Sequence, residues 1–322
     1  MKTTVIIGAG QMGRAAAELL HPNRVRLLAF GDNDPRVWTK AGLGDGGSKG
    51  SRNNEGSMNS CENGVDEKFG APVLSVAEAL ALGPQQVMIC VLGEDRAGML
   101  EKQVRELGYE GPVVLLREIY ELFDLRSRCI GQLARRVNEL QIPGAIAELG
   151  VYRGDTAWQL NVLFPDRNLY LFDTFEGFDA RDVEREHADA GPAEGGRSAH
   201  AQTGRFSDTS AEAVLRRIPH PEHVIIRQGF FPETAVYEGE GPVFALVSLD
   251  PDLYAPTLEG LRYFYPRMSS GGMIVVHDYD NKQFEGVKRA VQEFEKELLV
   301  GGDQPLHMVP LGDLHGSCVI LR

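Results

Sequence analysis

Twice along this chain a short β-branched run ends in a glycine turn that opens a helical pattern, and each time the next such run ends in an aspartate. The first instance is Thr3–Ile7, then Gly8-Ala9-Gly10-Gln11-Met12-Gly13, a helix-prone stretch over Arg14–Leu20, and Val25–Phe30 leading to Gly31-Asp32. The second is Ala145–Leu149, then a turn holding Gly150 and Gly154, a helix over about Thr156–Leu163, and Leu169–Phe172 leading to Asp173. Strands that alternate with helices in this way read as βαβ units of a parallel sheet. The expected fold class is therefore α/β, with two doubly wound domains. We place them at residues 1–117 and 118–322.

In the first domain the glycines Gly8, Gly10 and Gly13 follow a strand and open a helix, with Asp32 about 20 residues further on. That is the context in which a G-x-G-x-x-G turn lets a pyrophosphate approach a helix N-terminus. The same series also suits a Rossmann-like domain without a ligand. Residues 42–65 are rich in Gly, Ser and Asn and lack periodicity, so they are expected to be a flexible insertion. Pattern returns at Ala71-Pro72-Val73-Leu74, with strands at Val87–Leu92 and Val113–Leu116 and a helix at Asp95–Leu107. About four parallel strands are expected here.

A helical bridge over Glu118–Leu140 leads into the second series. Its later strands are Val224–Arg227, Val243–Leu249 and Gly272–Val276, followed by a helix in which Phe284, Val287, Val291, Phe294 and Leu298 recur at three- and four-residue steps. Leu306–Pro310 and Ser317–Leu321 read as a closing antiparallel hairpin. Five strand–helix units closed by such a hairpin is the order of a class I methyltransferase sheet. Residues 179–205 are polar and read as a mobile loop or lid, while Phe230-Phe231 and Tyr263-Phe264-Tyr265 read as core packing.

Charge and cysteine content narrow the partners. With 33 Lys+Arg against 46 Asp+Glu the net charge is −13, which disfavours nucleic acid and anionic membranes as partners. Cys61, Cys90, Cys129 and Cys318 are scattered without a C-x-x-C pair, which suits a reducing cytoplasm. The opening MKTTVIIGAG has a strand-length apolar run rather than a signal peptide, and no run approaches a membrane span. The bridge around Leu122–Leu140 offers a face for a homodimer.

In an open α/β sheet, ligands bind beyond the carboxyl ends of the strands. In the second domain Glu148, Asp173, Gln228-Gly229, Asp250 and His277-Asp278 all fall at such ends. Any one of them alone reads as a turn residue; together they outline a site. Gly150 and Gly154 permit a close approach of backbone, and Asp173 can accept both hydroxyls of a ribose. That points to an adenosine-containing cofactor without distinguishing nicotinamide from sulfonium. The turn ELGVYRGDT, with an acid ahead of it and no G-x-G-x-x-G, favours a sulfonium, which needs no pyrophosphate cradle.

The segments Glu148–Thr156, Asp173–Phe178, Asp250–Tyr254 and Gly271–Tyr279 resemble the macrocin O-methyltransferase family, S-adenosylmethionine-dependent sugar O-methyltransferases. The resemblance covers about residues 120–322; the first domain is similar instead to small nucleotide-binding domains of sugar-modifying enzymes. It implies that Glu148, Gly150, Tyr152, Gly154 and Thr156 surround the methionine part of the cofactor. It also implies that Asp173 binds the ribose and that Thr174 and Phe175 lie near the adenosine. Gln228 and Gly229 join them at the third strand end. In the family the aspartate matching Asp250 is a magnesium ligand, with two adjacent acids at the end of the fifth strand. Here those two positions are His277-Asp278. Magnesium prefers hard oxygen ligands, whereas imidazole suits zinc, iron or manganese.

Two mechanisms follow. Either a divalent cation on Asp250, Asp278 and His277 stabilises the alkoxide of a sugar hydroxyl, or His277 beside Asp250 acts as general base without metal. Two other functions remain open: an NAD-dependent sugar oxidoreductase or epimerase working from Gly8–Gly13, and a non-enzymatic nucleotide sensor. Neither half carries a Tyr-x-x-x-Lys pair for the first of these.

Overall fold

The apolar runs of both halves become parallel strands buried on both faces, as such runs must when helices cover a sheet from either side. The computed structural model describes residues 1–38, 68–189, 200–237, 239 and 241–322. The expected insertion at 42–65, with Cys61, lies outside the described residues. Two units emerge, Met1–Phe123 and Asp124–Arg322.

The first unit runs β1 (Lys2–Ile7), α1 (Gln11–Glu18), β2 (Val25–Gly31), β3 (Val73–Leu74), α2 (Val76–Ala81), β4 (Gln86–Ile89), α3 (Glu94–Glu106), β5 (Val113–Leu115) and α4 (Leu116–Leu122). Its sheet order is β3-β2-β1-β4-β5, parallel throughout. That is one strand more than expected: the Val73-Leu74 pair, where pattern returns, is the two-residue strand β3, too short to be counted from periodicity. Val5, Ile6 and Ile7 of the central strand are fully buried. Ser75 caps α2 by accepting from the Glu78 N–H, while the Glu78 carboxylate accepts from the Ser75 N–H. Gly13 lies so close to the turn that an added Cβ would collide with the Gly8 carbonyl, so glycine there sets how tightly α1 packs on β1.

The second unit runs α5 (Leu125–Glu139), β6 (Ala145–Leu149), α6 (Asp155–Leu163), β7 (Leu169–Asp173), α7 (Ala180–Asp189), α8 (Ala211–Arg217), β8 (Val224–Gln228), β9 (Phe244–Leu249), α9 (Tyr254–Phe264), β10 (Met268–Val276), α10 (Glu285–Val300), β11 (His307–Pro310) and β12 (Cys318–Leu321). The sheet order is β11-β12-β10-β9-β6-β7-β8, with β12 antiparallel to both neighbours and the other pairs parallel. The chain winds one way through β6, β7 and β8 and the other way through β9 and β10. The reversal leaves a crevice beyond the ends of β6 and β9. Helices α9 and α10 cover one face and α5, α6 and α8 the other. Phe231 and Tyr265 are buried, and Phe172, Phe244 and Phe264 pack edge-to-face with ring centroids 5.2 and 5.7 Å apart. Cys90 and Cys318 pack as small hydrophobes, and burial pushes both thiols up to about 12. Among the described residues no helix is long and apolar enough to cross a membrane.

Two local expectations change. The bridge expected as one helix is two, α4 and α5, because Asp124 interrupts it and caps α5, its Oδ1 accepting from the Arg126 N–H at 2.9 Å. The segment expected as a loop from residue 179 opens with α7, and its residues 190–199 lie outside the described ones. Helix α7 has Val183 as its one large apolar side chain, packed on Leu253 and Phe178, and a buried polar anchor beside it. The buried Glu186 accepts from the Tyr254 N–H at the start of α9 at 2.7 Å and meets Arg289 Nη2 at 3.3 Å. Gly286 makes this possible, since a Cβ there would collide with the Glu186 carboxylate.

Replacing Glu186 with alanine is expected to cost about 1–3 kcal/mol, because it strands the buried N–H of Tyr254. Urea unfolding checks this. A variant as stable as the parent would show that Glu186 is not what anchors α7.

Candidate functional site

A cavity of about 290 Å³ opens beyond the ends of β6, β7 and β9. Its floor is the turn after β6. Gly150 there has φ +86°, and an added Cβ would collide with the Asp250 carbonyl, so only glycine lets the ends of β6 and β9 meet. Asp173, at the end of β7, pins the same turn: its Oδ2 accepts from the N–H groups of Val151 at 2.6 Å and Tyr152 at 3.0 Å, and its Oδ1 from Phe175 N–H at 2.6 Å. The first unit repeats the device, with Asp32 Oδ2 accepting from the Ala9 N–H at 2.8 Å. There Gly8 has φ +98°, and a Cβ on Gly10 would meet nothing within 4 Å.

At the other end of the cavity stands a charged cluster. Asp250, after β9, places Oδ1 2.7 Å from His277 Nδ1 and Oδ2 2.6 Å from Arg126 Nη1. Arg126, in the first turn of α5, also donates to Thr156. His277 Nδ1 lies 3.3 Å from Asp278 Oδ2, and the side chain of Asp278 is only 3% exposed. The Asn281 amide donates to Asp278 Oδ1 at 2.9 Å. Asp252 offers a carboxylate oxygen within 4.8 Å of donor atoms on Asp250, His277 and Asp278.

The protonation states follow from this crowding. Burial works against a charged His277, but the Asp250 carboxylate outweighs it and pushes the imidazole up to about 10. Burial would raise Asp250, yet His277 and Arg126 hold it below the usual carboxylate range. Asp278, also opposed by burial, is held low by the imidazoles of His277 and His315 close beside it and by the Asn281 amide. Asp252 goes the other way: burial, then the charges of Asp250 and Asp278, raise it well above its ordinary value. Glu148, 1% exposed, is raised well above its ordinary value by burial, against the pull of Arg126, and its Oε2 has no hydrogen-bond partner.

Of the residues singled out in the sequence, Glu148, Gly150, Tyr152, Thr156, Asp173, Thr174, Gly229, Asp250 and His277 line the cavity. Gly154 lies beneath it as the N-cap of α6, packed on Val214. Phe175 is buried in the core with its backbone at φ +55°, Gln228 is exposed at the end of β8, and Asp278 stands behind His277. Sequence reasoning missed Arg126, Asp182 of α7 and the rings of Phe178 and Phe206, which also line the cavity. Arg126 sits 124 positions from Asp250, and no local pattern marks it. Asp252 was visible within the D-x-D-x-Y stretch without a role.

The family model described as macrocin O-methyltransferase matches residues 95–311. The chain belongs to the macrocin O-methyltransferase family. It is 28% identical over 198 residues, 56% of this chain and 66% of the relative, to the 8-demethyl-8-(2,3-dimethoxy-alpha-L-rhamnosyl)-tetracenomycin-C 4'-O-methyltransferase of Streptomyces olivaceus. It is 26% identical over 168 residues, 45% of this chain and 63% of the relative, to the mycinamicin III 3''-O-methyltransferase of Micromonospora griseorubida. The chain thus spans just under two thirds of the length of these curated relatives. The solved structure of the O-methyltransferase NovP aligns with a TM-score of 0.49 at 22% identity, covering 62% of this chain and 79% of that one. Within this macrocin O-methyltransferase domain the family match takes in every residue of the cavity floor and of the Asp250–His277–Asp278 cluster.

Asp182 reports on how α7 closes the cavity. Burial, reinforced by Asp179 and Glu186, pushes it from 3.8 to about 7, although Arg181 and Arg185 oppose this. A carboxyl raised on folding favours the fold in its protonated form, and that contribution is lost as pH rises through about 7. Asp182→Asn should therefore stabilise the protein at pH 8 by about 1 kcal/mol or more and by less at pH 5. Thermal unfolding at the two pH values tests this; an equal effect at both would show that Asp182 is not held in its neutral form.

Proposed function

We propose that this chain is an S-adenosylmethionine-dependent O-methyltransferase acting on a hydroxyl of a sugar or related small molecule. The observation that carries the reading is the convergence, at the reversal point of the second sheet, of a glycine turn pinned by an acid with a cluster of aspartates and an imidazole. Family membership and the sugar O-methyltransferase names of the relatives support it. The N-terminal unit is proposed as a Rossmann-like nucleotide-binding domain, supported by its parallel sheet order and by the open space over Gly10.

The cofactor supplies an electrophilic methyl group on sulfonium. The chain does the rest by positioning, the main source of acceleration in an in-line displacement. Gly150 keeps the turn free of side-chain bulk, and Asp173 holds that turn through the N–H groups of Val151 and Tyr152 and its own loop through that of Phe175. Glu148 offers a buried acceptor oxygen without a partner, suited to a donor on the methionine end of a ligand. Phe178, Phe206 and Phe230 line the cavity with apolar surface.

The acceptor hydroxyl must lose its proton. With Asp250 beside it His277 is an imidazolium at neutral pH, so it cannot take that proton in this state. A divalent cation fits the cluster better: Asp250, His277 and Asp278 turn donor atoms toward one another, and His277 Nδ1 makes no aligned hydrogen bond in spite of its 2.7 Å approach to Asp250. Two of them, His277 and Asp278, would hold the ion, which as a Lewis acid would lower the pKa of a bound hydroxyl, while Asp250 stays paired with Arg126.

Calorimetric titration of S-adenosylhomocysteine into the full chain tests the cofactor assignment. One site per chain is expected, weakened roughly ten-fold or more by Asp173→Ala, since each lost positioning contact is worth about 1.4 kcal/mol or more. Binding indifferent to Asp173, or none, would overturn it. Chelation is expected to abolish methyl transfer, and activity that survives chelation would return the proton to a side-chain base.

A further inference from the structure

The family resemblance puts the cation on Asp250, but in this chain Asp250 is already committed. One carboxylate oxygen faces Arg126 at 2.6 Å, and the guanidinium cannot release its charge. On the far side of His277 lies a histidine that the resemblance does not name. His315 Nδ1 stands 3.6 Å from Asp278 Oδ1, and its ring centroid is 5.2 Å from that of His277. One donor atom each from His277, Asp278 and His315 falls within 4.8 Å of the other two.

The fold brings His315 there by backbone contacts. The turn between β11 and β12 docks on the loop after β10: the Gly316 carbonyl accepts from the Asp280 N–H at 3.0 Å, and an added Cβ on Gly316, at φ +72°, would sit 2.8 Å from the Asp280 side chain. The Asp313 carboxylate closes the same turn by accepting from the Ser317 N–H at 2.9 Å. Asn281 orients Asp278 from behind, as an outer hydrogen bond commonly does for a ligating carboxylate.

Spacing agrees with a shared ion. Ligands about 2.1 Å from a metal lie about 3.0 Å apart in octahedral geometry and about 3.4 Å apart in tetrahedral geometry. His277 Nδ1 stands 3.3 Å from Oδ2 of Asp278 and His315 Nδ1 3.6 Å from its Oδ1, so each imidazole meets one oxygen of the carboxylate. Two imidazoles and one carboxylate are a mixed nitrogen–oxygen set that suits first-row transition metals, whereas magnesium favours oxygen. We propose that His277, Asp278 and His315 form a metal site that takes a transition-metal ion of the manganese, iron, cobalt or zinc class in preference to magnesium. The assignment deepens the reading of the cavity as a methyltransferase site and rests on it only for what the ion does there.

The test uses metal-stripped full-length protein, titrated with Co²⁺ under visible absorption and, separately, with Mg²⁺ by calorimetry. One equivalent of Co²⁺ is expected, with a visible band, binding roughly a hundred-fold more tightly than Mg²⁺. His315→Ala is expected to weaken Co²⁺ roughly ten-fold or more and to change the band, with Mg²⁺ unmoved. If that variant does not fold, His315→Asn replaces it, and the parent's Co²⁺-to-Mg²⁺ ratio stands as a readout by itself. Co²⁺ and Mg²⁺ affinities within about three-fold of each other, unchanged Co²⁺ binding in the His315 variants, or no Co²⁺ binding at all would each overturn the site. S-adenosylhomocysteine binding on the same preparations separates the two readings: its loss with Co²⁺ binding intact removes the methyltransferase assignment alone, and the converse removes the metal site alone.

Discussion

Asp250, Asp252 and Asp278 share one partly buried site at the ends of β9 and β10, and they can do so because Arg126 and His277 bring positive charge to it. Burying like charges together is expensive unless they are paired or neutralised. The chain does both: Asp250 and Asp278 stay ionised against two cations, while Asp252, left without a cation of its own, is pushed toward its neutral form. The cluster therefore balances its own charge. The same balance explains why an arginine from α5, far away in sequence, reaches in as deep as Thr156.

The backbone around the cavity is held as firmly as its charges. Tyr152, Phe175, Asp252 and Asp278 all adopt positive φ without being glycine, at 49°, 55°, 63° and 57°. Such conformations cost of order 1 kcal/mol or more each and persist only where the surroundings over-determine them. Here Asp173 grips the turn that holds Tyr152 and the N–H of Phe175, while Asp252 and Asp278 follow the ends of adjacent parallel strands. These four residues follow four strand ends, and two of them, Tyr152 and Asp252, line the cavity. The first unit uses only part of this device, its Asp32 accepting from Ala9 beside a glycine turn.

Much of this could be read along the chain. β-branched runs, the periodic helix of Phe284 to Leu298 and the closing hairpin signal themselves locally, and they mark the alternation of strand and helix that a parallel sheet requires. The strand-end residues Glu148, Asp173, Asp250 and His277 were legible because a parallel sheet gathers its carboxyl ends at one edge. Elements without a local signature were not legible. β3 is two residues long, α7 lacks an apolar stripe and is tied down by Glu186, and the break between α4 and α5 rests on a single capping aspartate.

The sequence by itself therefore determined the alternation of strands and helices and the edge where chemistry gathers, since period, turn residues and strand ends are local properties. Tertiary structure alone decided which charges meet. Arg126 precedes the first strand of its sheet and His315 lies in the last turn, yet both stand within 4 Å of the aspartates at its centre. Coulomb interactions depend on distance in space, and no spacing along a chain reports how a helix start and a hairpin turn will pack around two strand ends.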